Sequence, residues 1–170
     1  MNVYITPPIT HFDRGVGFSA WQFKDSAELL LNSENPNDII SPICYLQRHA
    51  IELYLKSIIY ILHKKYSIRF GEEGNSIFSL DNPAFLKNDD WKPLKSSHDL
   101  SDLYQYLKTL LNTCRVHGLL PEIIASWEFS DNFLSKINKI NGYDPKSTYF
   151  RYPDSGSENQ DRKKSTIQSV

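Results

Sequence analysis

Apolar residues recur at helical spacing along four segments of the chain. In each segment, apolar positions three and four apart form one face, and Asn, Pro or Gly turn signals separate the segments. The pattern predicts helices over residues 17–33, 38–65, 96–117 and 121–140. We therefore predict an all-α fold, a bundle of four to five helices.

Residues 66–97 break this pattern. The stretch is rich in Gly, Asn, Asp and Pro, and connections of this length between helices are uncommon. We predict a long irregular excursion, in which short apolar runs at 77–80 and at Phe85 with Leu86 could pack back on the bundle as a small hairpin. The bundle is predicted to be one domain over 1–154, and the polar segment 155–170 a disordered tail.

The longest predicted helix carries a narrow polar stripe on an otherwise apolar surface. At 100° per residue, one side of the helix carries four polar residues: Arg48, His49, Glu52 and Lys56. Glu52 could orient the His49 imidazole, and Arg48 offers a planar fork for phosphate or carboxylate. Two interpretations stay open. The stripe is either a ligand site, with all four residues as binding candidates, or a salt-bridge network that is buried or lies at an interface.

Two later positions carry further binding candidates. His98 precedes Asp99 at the start of a predicted helix, where the helix dipole favours an anion. Arg151 and Tyr152 lie in an aromatic segment near the C-terminus, where an arginine could stack on a base or dock on a carboxylate of the bundle. A purely structural role, as a helix cap or as a strap, is the alternative at each position.

Composition narrows the class of protein. Lys and Arg number 19 against 20 Asp and Glu, so bulk attraction to nucleic acid or to an anionic membrane is not expected. Two isolated cysteines, no signal-peptide pattern and no membrane-length apolar run predict a cytoplasmic protein. The chain has no Gly-rich phosphate loop, metal-ligand spacing or nucleophile motif, so no cofactor and no metal site are predicted.

Three short blocks in order resemble the HEPN family of helical bundles. They are RHAIELYLK at residues 48–56, HDLSDL at 98–103 and RYPD at 151–154. The resemblance implies an up-and-down bundle, often dimeric, of the kind found in bacterial toxin–antitoxin, phage-defence and RNA-processing systems. Many members are ribonucleases in which four to six residues separate an Arg from the His that follows it. None of the six arginines here has a histidine at that distance, so the usual nuclease motif is absent.

Three functional hypotheses follow. The first is a HEPN-like module without enzymatic activity that binds a partner protein, an RNA or a nucleotide in a defence or toxin–antitoxin setting. Its expected partners are a second copy of the chain or a protein from the same operon. The second is a metal-independent ribonuclease with an atypical site, in which His49 is the general acid–base and Glu52 orients it, while Arg48 and Lys56 stabilise phosphate charge. The third is a purely structural bundle that forms homodimers.

Overall fold

The computed structural model describes residues 11–69, 78–79, 81–121, 129–144 and 146–147. Three of the predicted helices lie close to their predicted bounds, and a strand pair follows the second of them. In chain order the elements are α1 (Val16–Leu31), a short 3₁₀ helix (Pro36–Ile39), α2 (Ile40–Tyr66), β1 (Ala84–Lys87), β2 (Asp90–Pro93), α3 (Leu100–Val116) and α4 (Asp131–Tyr143).

The prediction of an all-α fold is wrong. Strands β1 and β2 pair antiparallel, with Ala84 opposite Pro93, and form a two-stranded sheet. The turn residues Asn88 and Asp89 both have positive φ, 50° and 60°, a pattern whose twist suits a tight hairpin. The fold is therefore largely helical with a small sheet. The predicted irregular excursion over 66–97 is in part this ordered hairpin.

Helix α1 packs along α2 through small residues. Ala20 and Ala27 are 0% and 1% exposed, which lets the two helix backbones approach each other closely. The chain enters α1 through Gly15, whose φ of 82° is easily adopted only without a side chain. The buried Asp13 carboxylate accepts hydrogen bonds from the backbone N–H groups of Gly15 and Gly17, so it satisfies donors at the helix start.

The main core lies between α2 and α3 and is closed by β1 and α4. The clean apolar period of α3 buries one whole face of that helix, as its sequence predicts. Residues with essentially no exposed surface come from all four elements: Ile59, Phe85, Leu100, Leu103, Leu107 and Ile137. The hairpin is therefore part of the core rather than a loop over it.

Two side-chain caps fix where α3 and α4 begin. Asp99 is the N-cap of α3 and accepts from the Asp102 N–H, three residues after the predicted start at Ser96. Asn141 of α4 binds both the Asp99 carboxylate and the Leu100 N–H, which ties the end of α4 to the start of α3. Helix α4 starts at Asp131 because Ser130 caps it, so it begins later than the helix predicted from 121. Residues 122–128 of that prediction lie outside the described residues.

A buried histidine joins α2 to α3. His63 is 1% exposed, its Nδ1–H donates to the Ile68 carbonyl at 2.8 Å, and Nε2 accepts from the Tyr106 hydroxyl at 2.8 Å. The carbonyl can only accept, which fixes this tautomer. Burial lowers the pKa of His63 below its ordinary value, and the Ile68 bond only partly opposes this. The ring is therefore neutral in the folded protein at neutral pH.

We predict that the protein loses stability in mild acid through His63. Below about pH 6.5 the unfolded chain binds a proton at this position that the folded chain does not, so the free energy of unfolding falls as the pH falls. Urea unfolding at pH 7.5 and 5.5 measures the difference. The His63→Gln variant should be less stable than the natural sequence at pH 7.5. Its free energy of unfolding should, however, fall less between pH 7.5 and pH 5.5. If the variant lost as much free energy of unfolding between the two pH values as the natural sequence, His63 would not be the cause of the acid destabilisation.

Candidate functional site

Three residues of the predicted stripe form a buried ion network on α2. Arg48, Glu52 and Lys56 are 1%, 1% and 7% exposed, and their spacing of four residues puts them on one face. Arg48 Nη1 lies 3.0 Å from Glu52 Oε2, and Lys56 Nζ lies 2.8 Å from Glu52 Oε1. Buried charges at this depth are stable only when they are paired and hydrogen-bonded, and one carboxylate here serves two cations.

The two cations use their other donors to hold backbone. Arg48 Nε donates to the Asp144 carbonyl at 2.7 Å, and Nη2 donates to the His98 carbonyl at 2.6 Å. Lys56 Nζ donates to the Lys95 carbonyl at 3.2 Å. The network thus fastens the connection between β2 and α3, together with the end of α4, to the middle of α2.

Glu52 is charged despite its burial. Burial on its own raises the pKa of this carboxyl, but the charge and hydrogen bond of Lys56, and then those of His98, oppose it, so the pKa of Glu52 lies below its ordinary value. A depressed carboxyl pKa stabilises the fold above the pKa of the unfolded chain. That stabilisation disappears as the pH falls through the folded pKa.

The histidine that Glu52 contacts is His98. Nδ1 of His98 lies 3.0 Å from Glu52 Oε1, and the His98 side chain is 41% exposed. An ionised carboxylate only accepts, so Nδ1 carries a hydrogen and Nε2 is the nitrogen left to accept or exchange a proton. No residue in the described part of the chain forms a hydrogen bond with Nε2. The arrangement is a buried carboxylate orienting a half-exposed imidazole.

His98 opens into a cleft between the hairpin, the start of α3 and the chain after α4, which we call the His98 cleft. Its volume is about 590 Å³. The charged residues that line it with His98's imidazole are five lysines and aspartates: Lys87, Lys92, Asp99, Asp102 and Lys146. Lys87 is paired with Asp102, and Lys92 is paired with Asp90. Three of the lining side chains are lysines, so the cleft offers cations beside His98, although Asp90 outside the wall balances the charge of Lys92.

His49 lies apart from the ion network. Its ring packs edge-on against Phe23, with centroids 4.5 Å apart, and stacks on Tyr45 at 5.6 Å. These aromatic contacts place His49 at the α1–α2 junction, while Glu52 faces His98. The structure therefore brings together Arg48, Glu52, Lys56 and His98 from the predicted site.

The remaining site residues form two groups, those predicted from the sequence and those found only in the structure. Arg151 and Tyr152 lie outside the described residues, so their predicted role in ligand binding stays a prediction. Lys87, Lys92 and Lys146 line the cleft, and no motif or periodicity in the sequence singles them out. The only sequence feature that pointed toward Lys87 and Lys92 was the Asn88-Asp89 turn. Once that turn defines a hairpin, it places Lys87 and Lys92 on neighbouring strands.

Comparison with known proteins identifies no relative. No protein-family model matches the chain, and no curated protein or solved structure is significantly similar to it. Within the described ranges, no group of three or more His, Cys, Asp or Glu side chains could hold a metal ion. None of the described helices has an apolar run long enough to cross a membrane.

Proposed function

We propose that the protein is a HEPN-like module that binds a phosphate-bearing ligand, an RNA strand or a nucleotide, in the His98 cleft. The observation that carries this proposal is the contact between the buried Glu52 carboxylate and the half-exposed His98 imidazole. A charged imidazole donates a strong hydrogen bond to a phosphate oxygen, and the Glu52 carboxylate holds the His98 ring in a fixed orientation.

The cleft walls support a ligand of this charge. Lys87 and Lys92 lie on the hairpin and Lys146 follows α4 in the sequence, so lysines from two parts of the chain line the cleft together with His98. The net charge of the whole chain is −1, which means that attraction to nucleic acid has to be local. The predicted contact residues Arg151 and Tyr152 follow Lys146 by five and six positions and would extend such a site.

The arrangement of Arg48, Glu52 and Lys56 supports a positioning role for these residues. Their side chains are almost completely covered and their charges are used within the protein. Arg48 holds the His98 carbonyl while Glu52 holds the His98 ring, so backbone and side chain are fixed separately. In the proposed function the ligand contacts His98, and the stripe keeps His98 in place.

Salt-dependent RNA binding tests the role of the lysines. We expect a short fluorescent single-stranded RNA to bind with an affinity that falls with salt, and Lys87→Gln or Lys146→Gln to reduce the slope of log affinity against log salt by about 0.7 each. Lys108→Gln, on the exposed side of α3, is the matched control and should leave the slope unchanged. Equal slopes in all variants would place the binding site elsewhere.

A ribonuclease is the second candidate, favoured by the tautomer that Glu52 imposes on His98. Nε2 of His98 could take the proton of a ribose 2′-hydroxyl as its oxygen attacks the neighbouring phosphorus. The 5′-oxygen would leave with a proton from solvent or a lysine, giving a 2′,3′-cyclic phosphate and a 5′-hydroxyl. In the predicted atypical site this role belonged to His49. The Glu52 contact favours His98 instead.

Incubating mixed RNA with the protein in EDTA separates the binding and cleavage hypotheses. Under cleavage, we expect products ending in a cyclic phosphate, a loss of at least about 100-fold in rate for His98→Gln and little change for His49→Gln. Intact RNA that is nevertheless bound supports the binding module. Loss of cleavage in the His49 variant alone would contradict the role of His98.

We also propose that the protein acts in the bacterial cytoplasm as a homodimer or with a partner encoded beside it, in a toxin–antitoxin or phage-defence setting. Apolar side chains on the outer face of α1 support such a contact, because Phe18, Trp21 and Leu29 are 42%, 49% and 76% exposed. Light scattering after gel filtration should give twice the 19.7 kDa chain mass for a homodimer, and Trp21→Glu should give the single chain mass. A monomer in both samples would contradict the homodimer.

A further inference from the structure

Asp102 is the one polar residue of the HDLSDL block, apart from Ser101, that has no role in the site described above. His98 lines the cleft, and Asp99 caps α3. Both leucines of the block are buried in the core. Asp102 lies in the first turn of α3, and its side chain also lines the His98 cleft. A carboxylate therefore stands in the wall of a cleft for which we propose a phosphate-bearing ligand.

Asp102 forms an ion pair with Lys87, which lines the same cleft from strand β1. Lys87 Nζ donates to Asp102 Oδ2, and the two side chains are 41% and 24% exposed. This hydrogen bond raises the pKa of Lys87 above its ordinary value, and the Asp102 charge adds to the effect, although burial opposes it. Water reaches both partners, so the pair opens at a much lower cost than the buried pairs of Glu52.

The two partners differ in what remains to them when the pair opens. The start of α3 stabilises a negative charge in its first turn, so the Asp102 carboxylate keeps a favourable environment without Lys87. Among the residues that the structure describes, Lys87 donates to Asp102 alone. The Lys87 ammonium group therefore needs another charged acceptor if it leaves Asp102.

A phosphate oxygen is a suitable replacement for this carboxylate oxygen. Both are charged acceptors, and an ammonium group forms a charge-assisted hydrogen bond with either. A ligand that His98 already holds presents its phosphate groups to Lys87 at a high effective concentration, because both residues line one cleft. A phosphate of such a ligand competes with Asp102 for the same ammonium group.

We propose that Asp102 is a built-in competitor of the ligand: it holds Lys87 until a phosphate group of the RNA or nucleotide takes its place. This inference rests on the function proposed for the His98 cleft. The exchange forms one charge-assisted hydrogen bond and breaks another, so Asp102 lowers the affinity for any anion that reaches Lys87.

The Asp102→Asn variant tests the exchange because it removes the charge and keeps the shape of the side chain. Anisotropy of a short fluorescent single-stranded RNA should show about three- to tenfold tighter binding, since Lys87 is released and a repulsive charge is removed. The midpoint of urea unfolding should fall slightly, because α3 loses a negative charge from its first turn. A purely structural role for Asp102 predicts the lower midpoint without the gain in affinity.

Asp38→Asn is the matched control. It changes the net charge equally, but Asp38 is exposed and lies about 20 Å from Glu52 along α2, beyond the screening length at ordinary salt. We expect its RNA affinity to stay within about 1.5-fold of that of the natural sequence.

The same substitution in a Lys87→Gln background separates exchange from simple charge repulsion. Without Lys87 there is no pair to open, so Asp102→Asn should tighten binding less than about twofold in that background. Equal gains in both backgrounds would overturn the proposal, because Asp102 would then act through repulsion alone. Weaker RNA binding by Asp102→Asn in the natural background would overturn it as well.

Carbon-13 NMR of the natural sequence follows the exchange itself. The Asp102 carboxyl signal should shift and saturate as RNA is added, while the Asp38 carboxyl signal stays in place. An unmoved Asp102 signal in RNA-saturated protein would overturn the proposal and leave the function proposed for the cleft intact. If neither the natural sequence nor Asp102→Asn binds RNA, the proposed function fails, and this inference fails with it.

Discussion

Glu52→Gln should lower the free energy of unfolding by about 3–5 kcal/mol, the largest stability loss expected for a polar substitution in this protein. The glutamine has nearly the same shape but no charge, so the buried Arg48 and Lys56 cations lose the carboxylate between them. Both cations also hold backbone carbonyls, which means that the fastening of the His98 segment weakens too. Urea unfolding of both proteins at pH 7 measures the difference.

An exposed ion pair of the same spacing provides the control. Glu28 pairs with Lys24 one turn away on α1, with side chains 54% and 48% exposed. Solvent screens that pair, so Glu28→Gln should change the free energy of unfolding far less than Glu52→Gln does. Similar small losses for Glu28→Gln and Glu52→Gln would show that the stripe contributes no more than a surface pair and would contradict its role as a buried fastening.

His98→Gln should reduce RNA or nucleotide affinity by about 10- to 100-fold while leaving stability nearly unchanged. A charge-assisted hydrogen bond to phosphate is worth about 1.5–3 kcal/mol, and glutamine cannot supply the charge. Its amide can still donate to Glu52, and Arg48 holds the backbone carbonyl at this position whatever the side chain. Fluorescence anisotropy gives the affinity, and urea unfolding gives the stability.

His49→Gln is the matched comparison for this result. Both histidines were site candidates, but His49 packs on Phe23 and Tyr45 away from the ion network. We expect His49→Gln to change affinity less than about twofold and to lower stability through lost aromatic packing, by about 1 kcal/mol. The opposite pattern, with affinity lost only in the His49 variant, would support the site predicted from the sequence, in which His49 contacts the ligand.

The helices could be predicted from the sequence because their signals are local. The apolar period of α3 and the caps at its start depend on residues within a few positions of one another. The hairpin was underestimated because its evidence is weak in isolation: two strands of four residues around Asn88 and Asp89. Phe85 makes them stable by entering a core whose other walls lie far away in the sequence.

The site was predictable in part for the same reason. The four-residue spacing of Arg48, Glu52 and Lys56 is a local feature, and it indicated a network that the structure contains. The partner of Glu52 was not a local feature. His49 is three residues away, but His98, 46 positions later, makes the hydrogen bond because the connection after β2 folds back on α2. Helical spacing alone cannot choose between a neighbour and a residue brought in by the fold.

The ring signals of the histidines during titration with a short single-stranded RNA test the central claim most directly. The chain has five histidines, and the loss of one signal in His98→Gln assigns the ring of interest. We predict that the His98 signals shift and saturate at the affinity measured by anisotropy, while the His49 and His63 signals stay in place. An unmoved His98 ring in RNA-saturated protein would contradict a ligand site built on Glu52 and His98.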